Sequence, residues 1–249
     1  SIATGRYLEY GDPHTNWPMY WPHLRAMPEK MDILIAGCGT NQAAYYACRF
    51  PQSKITAVDL SQTSLDHEAK LKEKHGLDNL TLKKMDLTTI GELGETYDYI
   101  VSSGVLHHLP EPARGFEALK NVLRPEGVLH VMVYGTSLRL GVYVMQDLFR
   151  TCGLQQTPED LQLVKETLAV LPQDHVARRY INSASDLKYE AGMVDTFLHR
   201  QDRSFYVPEI FQVFQGVGLE FVSWIDNLDY SLEAALPANH PLWQDRKSV

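Results

Sequence analysis

The sequence predicts an α/β fold in which helices cover both faces of a doubly wound, mostly parallel sheet. From Met31 onward, short apolar runs alternate with longer stretches whose apolar residues recur at helical spacing. A glycine-rich turn, Gly37-Cys38-Gly39, directly follows the first apolar run. This alternation is typical of parallel sheets, because each crossover between parallel strands needs a long connection. An aromatic N-terminal lid and a helical insertion after strand five complete the predicted architecture.

Five strands and the helices between them follow in order along the chain. The predicted strands cover residues 32–36, 54–59, 80–85, 97–102 and 127–134. Helices are predicted over residues 42–49, from an N-cap at Ser61 to about residue 75, and over residues 111–123. Residues 124–127 are expected to form a turn before the fifth strand. A late strand is predicted over residues 219–225, where the composition favours a strand.

Four segments are predicted from these patterns. Residues 1–30 form a lid or a short helix, residues 31–134 the core, residues 135–206 a helical insertion, and residues 207–249 the completion of the core with a tail. A sheet of this kind requires neither the lid nor the insertion. We therefore expect these two segments to determine the choice of substrate.

Composition indicates a globular domain that acts on a small molecule or a peptide. The chain has 249 residues, of which 44% are hydrophobic and 22% are charged. Because the net charge is −8 and no run of Lys or Arg exceeds two residues, no nucleic-acid partner is expected. Oligomeric state is not indicated by the sequence.

Cysteine usage and the apolar runs indicate a cytoplasmic location. The three cysteines match neither a disulfide framework nor a zinc site, which suggests a reducing compartment. No apolar stretch approaches the roughly 20 residues that span a bilayer. Residues 1–10 contain charges and lack the apolar core of an export signal, so neither export nor a membrane is expected.

The loop after the first strand is the predicted ligand site, because ligands of open parallel sheets bind beyond the carboxyl ends of the strands. Gly37 and Gly39 permit a positive φ and a close approach of the backbone to a ligand. The following helix N-terminus is expected to offer unpaired N–H donors. Glycine turns of this kind occur in nucleotide enzymes of several classes, so the turn alone leaves the cofactor open.

Acidic residues end the next two strands. Asp59 follows Gly39 by about 20 residues, the separation at which a carboxylate accepts hydrogen bonds from ribose hydroxyls. Asp86 lies between the apolar residues Met85 and Leu87 and is placed to meet an adenine amino group. The alternative interpretations are that Asp59 caps the following helix and that Asp86 is an ordinary turn residue.

Together with residues 102–110 and the turn Leu123-Arg124-Pro125-Glu126-Gly127, these positions resemble the class I, Rossmann-like methyltransferases that depend on S-adenosylmethionine. The resemblance covers residues 31–134. It implies S-adenosyl-L-methionine as methyl donor and S-adenosyl-L-homocysteine as product. The cofactor-binding residues that it implies are Ala36, Gly37, Cys38, Gly39, Gln42, Asp59, Leu60, Asp86, Leu87, Ser103, Gly104, Val105 and His108.

The resemblance also distributes these residues along the cofactor. It implies that the glycine turn and Gln42 lie against the methionine and ribose part, Asp59 against the ribose and Asp86 against the adenine end. Residues 103–105 line the sulfonium side in this interpretation, and His108 closes over it.

Two positions depart from the family pattern. Members commonly carry an acid at the position of Ile35 and a third glycine at the position of Asn41. We expect the turn to survive because Asn tolerates the left-handed conformation. The absent acid leaves the methionyl group to backbone donors, Gln42 or the lid. A nicotinamide cofactor is disfavoured, since its fingerprint requires glycine where Gln42 stands.

Methyl transfer from a sulfonium is an in-line displacement on an already activated electrophile, so positioning supplies much of the acceleration. A base matters most for a hydroxyl or a protonated amine. The candidate catalytic residues are His107, His108, Tyr134, Asp195 and His199. The candidate substrate-binding residues are Tyr7, Tyr10, Tyr20, Tyr134, His199 and Arg203.

Three of these candidates recur at four-residue steps. If their segment is helical, Asp195, His199 and Arg203 share one face, which is either a functional cluster or a surface of ion pairs. An Arg203 side chain inside the pocket would favour a carboxylate or phosphate on the acceptor. No metal is expected, because the sequence contains no His/Cys cluster with ligand spacing.

Two further hypotheses remain open at this point. The first is a domain that binds the cofactor without transferring methyl groups and acts as a sensor or protein partner, which Ile35 and Asn41 favour. The second is an RNA methyltransferase, which the acidic balance disfavours. Whether N, O, S or C receives the methyl group is not evident from the sequence.

Overall fold

The computed structural model describes residues 11–21, 23, 26–39, 41–184, 186–225 and 237. The chain divides into two compact units. Unit 1 comprises residues 1–101, 119–130 and 218–249, and unit 2 comprises residues 102–118 and 131–217. In the part of the chain described, no helix is long and apolar enough to cross a membrane.

Five strands form a single sheet in the order β3-β2-β1-β4-β5. The pairings β1–β2, β1–β4 and β2–β3 are all parallel. This sheet confirms the predicted α/β class with a mostly parallel sheet. The strand bounds are Asp32–Ala36 for β1, Lys54–Asp59 for β2, Leu80–Lys84 for β3, Tyr97–Ser103 for β4 and Leu123–Met132 for β5.

The first four helices are α1 (Pro13–Tyr20), α2 (Gln42–Arg49), α3 (Gln62–His75) and α4 (Pro112–Asn121). The Ser61 side chain accepts a hydrogen bond from the Ser64 N–H and so caps α3 as predicted. Gly76 ends α3 with φ of 62°, a conformation that favours glycine.

Aromatic side chains dominate the core of unit 1. Tyr20, at the end of α1, and Trp21 both lie about 5.9 Å from the Tyr99 ring between centroids. The hydroxyls of Tyr46 and Tyr99 both donate to the Gly11 carbonyl, at 2.9 and 2.6 Å. Tyr20 is 6% exposed, which favours packing over substrate contact. Two other lid tyrosines, Tyr7 and Tyr10, lie outside the described residues.

Two predicted elements were wrong. Residues 124–127 form no turn but belong to β5, which lies at the edge of the sheet, where a proline can be accommodated without losing a ladder hydrogen bond. Residues 219–225 form no strand, and none of them is buried. A period-two pattern becomes a strand only when another strand offers its edge, and no backbone bridge joins this segment to any other described residue.

Unit 2 contains the predicted helical insertion. Its helices are α5 (Thr136–Thr151), α6 (Pro158–Val170), α7 (Arg178–Ser183), α8 (Glu190–Leu198) and α9 (Val207–Val217). Short 3-10 helices cover residues 106–108 and 186–188. The apolar faces of α5, α6, α7 and α8 share one core, whose buried members include Val142, Met145, Phe149, Val164, Leu168 and Phe197. The periodicity of the sequence therefore predicted α5, α6 and α7 correctly.

Gly141 marks the place where α5 meets the chain before α7. A Cβ built on Gly141 would lie 2.5 Å from the Ala177 Cα and 2.5 Å from the Val176 carbonyl oxygen. Since these are backbone atoms, Gly141→Ala is expected to lower the free energy of unfolding by roughly 1–3 kcal/mol, measured by urea denaturation. Ordinarily such a change in a helix stabilises by about 0.5–1 kcal/mol.

Gly216 in α9 provides the matched control. Nothing lies within 4 Å of a Cβ built there, so Gly216→Ala should raise the stability of the protein. Equal effects of the two substitutions would contradict the close packing of Gly141.

Candidate active site

The glycine turn between β1 and α2 has an unusual backbone. Gly37 and Gly39 have φ of 81° and 57°, in the region that favours glycine. The N–H groups of Gly37 and Cys38 both donate to the Val58 carbonyl, at 2.9 and 3.1 Å. These bonds fix the turn to the end of β2.

Asp59, the last residue of β2, also contacts the glycine turn through its side chain. Its Oδ2 accepts the Gly39 N–H at 3.0 Å, and its Oδ1 accepts the Ser61 N–H at 2.8 Å. The bond to Ser61 is the local role weighed from the sequence, whereas the bond to Gly39 was not foreseen. Each carboxylate oxygen has a second lone pair, so the carboxylate can accept further hydrogen bonds.

The expectation that the N-terminus of α2 offers unpaired N–H donors was wrong at two positions. The Ala43 and Ala44 N–H groups donate to Glu68 Oε1 and Oε2, at 2.9 and 3.0 Å. Glu68, from α3, is fully buried, and burial raises the pKa of its carboxyl to about 7. The only signal of this role in the sequence was weak, because it consisted of an acid on the buried stripe of an amphipathic helix.

The remaining residues of unit 1 that were predicted to bind the methyl donor differ in their exposure to solvent. Leu60 is 61% exposed beside Asp59, whereas Leu87 is buried. Asp86 Oδ1 accepts the Thr88 N–H at 2.8 Å and caps the 3-10 helix Leu87–Leu93. The hydrogen bonds from the Thr88 N–H and hydroxyl hold the pKa of Asp86 below its ordinary value.

Two further positions near the turn clarify the departures from the family pattern. Ile35 is fully buried in β1, paired with Ala57 and Val101. Asn41 has φ of −154°, so the left-handed conformation expected of it is not used. Burial raises the pKa of the Cys38 thiol to about 12, which leaves it uncharged.

Of residues 103–105, predicted to line the sulfonium side, Ser103 ends β4 and the other two form the turn that follows. Gly104 has φ of 76°, and its N–H donates to the Met132 carbonyl at 3.1 Å. The 3-10 helix Leu106–His108 follows directly. The candidates His107 and His108 therefore come immediately after the predicted sulfonium segment in the chain.

In unit 2, imidazole, phenol, carboxyl and guanidinium groups surround this 3-10 helix. We call this group of side chains the polar cluster. All five predicted catalytic residues meet there through hydrogen bonds, ring contacts or charge pairs with one another. The members of the polar cluster are His107, His108, Tyr134, Arg139, Asp195, His199 and Asp202.

His107 forms the buried floor of the polar cluster. Its ring is fully buried, 3.8 Å from the Tyr134 ring and 4.2 Å from the His108 ring between centroids. Neither ring nitrogen has a hydrogen-bond partner among the described residues. Burial, followed by the charges of His108 and Arg139, lowers the pKa of His107 to about 3, so the ring is neutral near pH 7.

A buried ion pair that sequence reasoning missed supports the polar cluster. Arg139 Nη2 lies 2.7 Å from Asp202 Oδ2, and both side chains are 2% exposed. The Arg139 guanidinium also lies 3.6 Å above the Tyr134 ring and donates to the Tyr180 hydroxyl. Gln146 donates to the same Asp202 oxygen at 3.1 Å. The available signal was a single arginine within the amphipathic pattern of residues 138–148.

Asp195 connects two of the predicted residues. The Tyr134 hydroxyl donates to Asp195 Oδ2 at 3.0 Å, and His108 Nε2 lies 3.6 Å from Asp195 Oδ1. Burial, then the charge of Asp195, raises the pKa of Tyr134 well above its ordinary value. The phenol is therefore a hydrogen-bond donor to Asp195 at neutral pH.

The predicted helical face of Asp195, His199 and Arg203 was wrong, because α8 ends at Leu198. His199 stays in the polar cluster, with its ring 4.1 Å from the His108 ring. Burial lowers the pKa of His199. Arg203 is exposed, and its guanidinium lies 4.9 Å from the Phe205 ring, which leaves the predicted pocket role without support.

Two sets of possible metal ligands occur in the polar cluster. The ligand atoms of His107, His108 and Asp202 lie within 4.8 Å of one another, and so do those of His108, Asp195 and His199. In the second set, however, His199 Nδ1 accepts the Gln201 N–H at 3.1 Å, so a neutral ring carries its proton on Nε2. The expectation that no metal binds stays a prediction.

A parallel sheet of this order, with a glycine turn after β1 and an acid ending β2, defines a Rossmann-like cofactor-binding domain. The sequence model of the family described as "Methyltransferase domain" matches residues 34–129. This match agrees with the predicted resemblance to the class I S-adenosylmethionine-dependent methyltransferases, a family whose cofactor is S-adenosylmethionine.

Similar proteins cover different shares of the chain. An uncharacterized protein from Synechococcus sp. is 27% identical over 86% of this chain and 55% of its own length. Trans-aconitate 2-methyltransferase from Deinococcus radiodurans is 34% identical over 43% of this chain and 40% of its own length.

Among solved structures, PKMT2 from Rickettsia typhi in complex with AdoHcy matches with a TM-score of 0.70 at 18% identity, over 96% of this chain and 48% of that one. This likeness concerns the fold. The chain spans about half the length of the Synechococcus and Rickettsia proteins.

Proposed function

We propose that the chain transfers a methyl group from S-adenosylmethionine to a nucleophile on a small molecule or a peptide side chain. The reaction is an in-line displacement that leaves S-adenosylhomocysteine. The observation that carries the proposal is the left-handed glycine turn, Gly37 to Gly39, which Asp59 and Val58 hold in place after β1. A fixed turn without side chains lets a bulky ligand approach the backbone closely.

The donor binds along the carboxyl ends of β1, β2 and β3 in this proposal. The glycine turn meets the methionine and ribose part, and the free lone pairs of Asp59 accept the ribose hydroxyls. Leu60, 61% exposed, offers apolar surface for the adenine ring. Asp86, two residues after β3, accepts the adenine amino group.

The acceptor is held by the polar cluster of unit 2. Residues 103–105, which the family resemblance assigns to the sulfonium side, run directly into His107 and His108. Because the sulfonium is already activated, the contribution expected of these side chains is to orient the nucleophile and to remove its proton.

Asp59→Asn is expected to weaken binding of S-adenosylmethionine roughly 10- to 100-fold, since hydrogen bonds to a charged group contribute about 1.5–3 kcal/mol. Isothermal titration calorimetry with the cofactor and with its demethylated product measures this loss. Asp66→Asn, an exposed carboxylate whose partner is Gln62 in the same helix, is the matched control and should leave binding unchanged. Equal affinity of the two variants would contradict the ribose role of Asp59.

Activity is tested by incubating the protein with cofactor labelled in the methyl group and an extract of the cells that encode it. Transfer of label to a small molecule or a polypeptide supports the proposal, while label on RNA would redirect it to the nucleic-acid alternative. Cofactor binding without transfer would favour a sensor or partner domain. A folded protein that binds no cofactor would overturn the proposal.

A further inference from the structure

A surface cleft of unit 2 lies beside the polar cluster. The cleft has a volume of about 390 Å³, within the range of roughly 300–1,000 Å³ that is typical of sites for small ligands. Its lining comes from the ends of α5 and α8 and from the segments that follow these helices. The lining includes Arg150, Gln155, Phe197, Leu198, His199 and Arg200.

The lining of the cleft is positively charged, although the net charge of the chain is −8. Arg150 and Arg200 bring two guanidinium groups, and none of the described residues that line the cleft is acidic. A cleft lined by one sign of charge raises the local concentration of ligands with the opposite charge. The cleft therefore favours an anionic ligand.

A glutamine orients the Arg200 side chain. Arg200 Nη2 donates to Gln155 Oε1, and the Gln155 side-chain amide donates to the Gly153 carbonyl at 3.1 Å. No carboxylate of the described residues forms an ion pair with Arg200. A guanidinium has five N–H donors in one plane, so Arg200 still has donors for the two oxygens of a carboxylate or phosphate.

Arg150 and His199 provide further donors. Arg150 Nη1 lies 2.8 Å from Asp147 Oδ1, but both side chains are mostly exposed and solvent screens such a pair. His199 Nδ1 accepts the Gln201 N–H at 3.1 Å, so Nε2 carries the hydrogen in the neutral ring. Because Nε2 also carries a hydrogen in the protonated ring, this donor is present in both protonation states.

Apolar side chains complete the lining. Leu154, Phe197 and Leu198 line the cleft, and the last two are otherwise buried in unit 2. An apolar part of a ligand gains free energy when it leaves water for such a surface. The ligand that complements this cleft therefore has an anionic group and an apolar part.

We propose that the methyl acceptor is a small organic anion whose carboxylate or phosphate group binds to Arg200 and Arg150 in this cleft. The nucleophile of the same molecule lies at the polar cluster, since His199 lines the cleft and its ring lies 4.1 Å from the His108 ring. This inference rests on the proposed function, whose donor and reaction it keeps, and adds the chemical class of the acceptor. Arg203, which the sequence suggested for this task, does not line the cleft.

Binding of simple probes tests the cleft directly. Hexanoate, hexyl phosphate, hexanol and hexylamine are titrated into the protein and followed by calorimetry. The two anions should bind at least roughly 10-fold more tightly than the other two probes, and Arg200→Gln should remove most of this preference. Arg114→Gln is the matched control, because Arg114 forms an exposed pair with Glu111 outside the cleft.

The charge of the acceptor itself is tested by fractionation. The small molecules of the extract are separated on an anion exchanger, and the retained and unretained fractions are each incubated with the protein and labelled cofactor. We expect the label in the retained fraction. Phosphatase treatment of that fraction destroys an acceptor that binds through a phosphate, whereas carbodiimide amidation destroys one that binds through a carboxylate, and both results agree with the inference.

Kinetics with the retained fraction separate binding from chemistry. Arg200→Gln should raise KM roughly 10-fold or more and leave kcat within about twofold, because the anionic group binds away from the reacting atoms. Arg200→Lys keeps the charge but loses the planar fork, so its KM should lie between those of the wild type and Arg200→Gln. Arg114→Gln should match the wild type.

Other outcomes overturn the inference and leave the proposed function in place. These are label on a molecule of the unretained fraction or on a polypeptide, and equal affinity of the wild type and Arg200→Gln for both anionic probes. Failure of the proposed function is distinguishable, because no molecule of the extract then takes up label. The inference would fall with it, whatever the probes show.

Discussion

Arg139→Ala is expected to lower the free energy of unfolding by about 3–5 kcal/mol, because it leaves a buried carboxylate without its partner. Arg139 and Asp202 are each 2% exposed and lie 2.7 Å apart. Among the described residues, Asp202 would keep the hydrogen bond from Gln146 at 3.1 Å as its remaining side-chain partner. The guanidinium contacts with Tyr134 and Tyr180 would also be lost. Urea denaturation followed by circular dichroism measures the change.

An exposed ion pair in the same helix provides the control. Arg150 pairs with Asp147 at 2.8 Å, with side chains 61% and 76% exposed. Arg150→Ala should cost less than about 1 kcal/mol, since solvent screens such pairs. Replacing Arg139 and Asp202 together by Met and Leu should recover much of the stability. A loss in Arg139→Ala as small as the control loss would contradict a buried, uncompensated charge.

The stability of the protein is expected to fall by about 3 kcal/mol between about pH 4.5 and pH 7 through Glu68 alone. Burial raises the pKa of this carboxyl from 4.5 to about 7 in the folded protein, against the opposing effect of the Ala43 and Ala44 N–H groups. In this window the native state binds more protons than the unfolded state. Stability therefore decreases as pH rises and levels off above pH 7.

Glu68→Gln isolates this effect, because glutamine does not titrate. The variant should match the wild type near pH 4.5 and be more stable above pH 7. The difference between the two proteins is the quantity to measure, by urea denaturation at several pH values. Other titrations cancel in this difference, including that of His107, whose lowered pKa destabilises the protein as pH falls below about 6.5.

Glu73→Gln, at an exposed position of the same helix, serves as the matched control for the loss of one carboxylate. The opposite result would be a wild type whose free energy of unfolding rises above that of Glu68→Gln as pH rises. It would show that the Ala43 and Ala44 N–H groups keep the Glu68 carboxylate ionised. In that case burial is the weaker influence on Glu68.

Local patterns predicted most of the secondary structure. The bounds of β1, β2 and α2 agree with the prediction, because each is set by nearby residues: a run of apolar residues, a glycine turn and the proline after α2. The secondary structure of residues 124–127 and 219–225 was predicted wrongly. Whether they form strands depends on which edge of the sheet is available to pair, which no local pattern contains.

The candidate site likewise contains some residues that could be predicted from the sequence and others that could not. The residues after β1, β2 and β3 were predicted because parallel strands bring their carboxyl ends to one edge of a sheet. His107 and His108 were singled out by their place after the fourth strand. Arg139 and Asp202 were not identified, since a buried charge looks like a surface charge until its partner, distant in sequence, is known.

The sequence by itself determined the α/β class, the glycine turn and the acids that follow the strands. These depend on the periods of apolar residues and on spacings along the chain, which are local quantities. Tertiary structure alone decided that Glu68 occupies the N–H groups of α2 and that Asp195 faces His108. Such pairings bring residues from separate elements within hydrogen-bond distance, where burial and mutual charge, not the residue types alone, set their protonation and their chemistry.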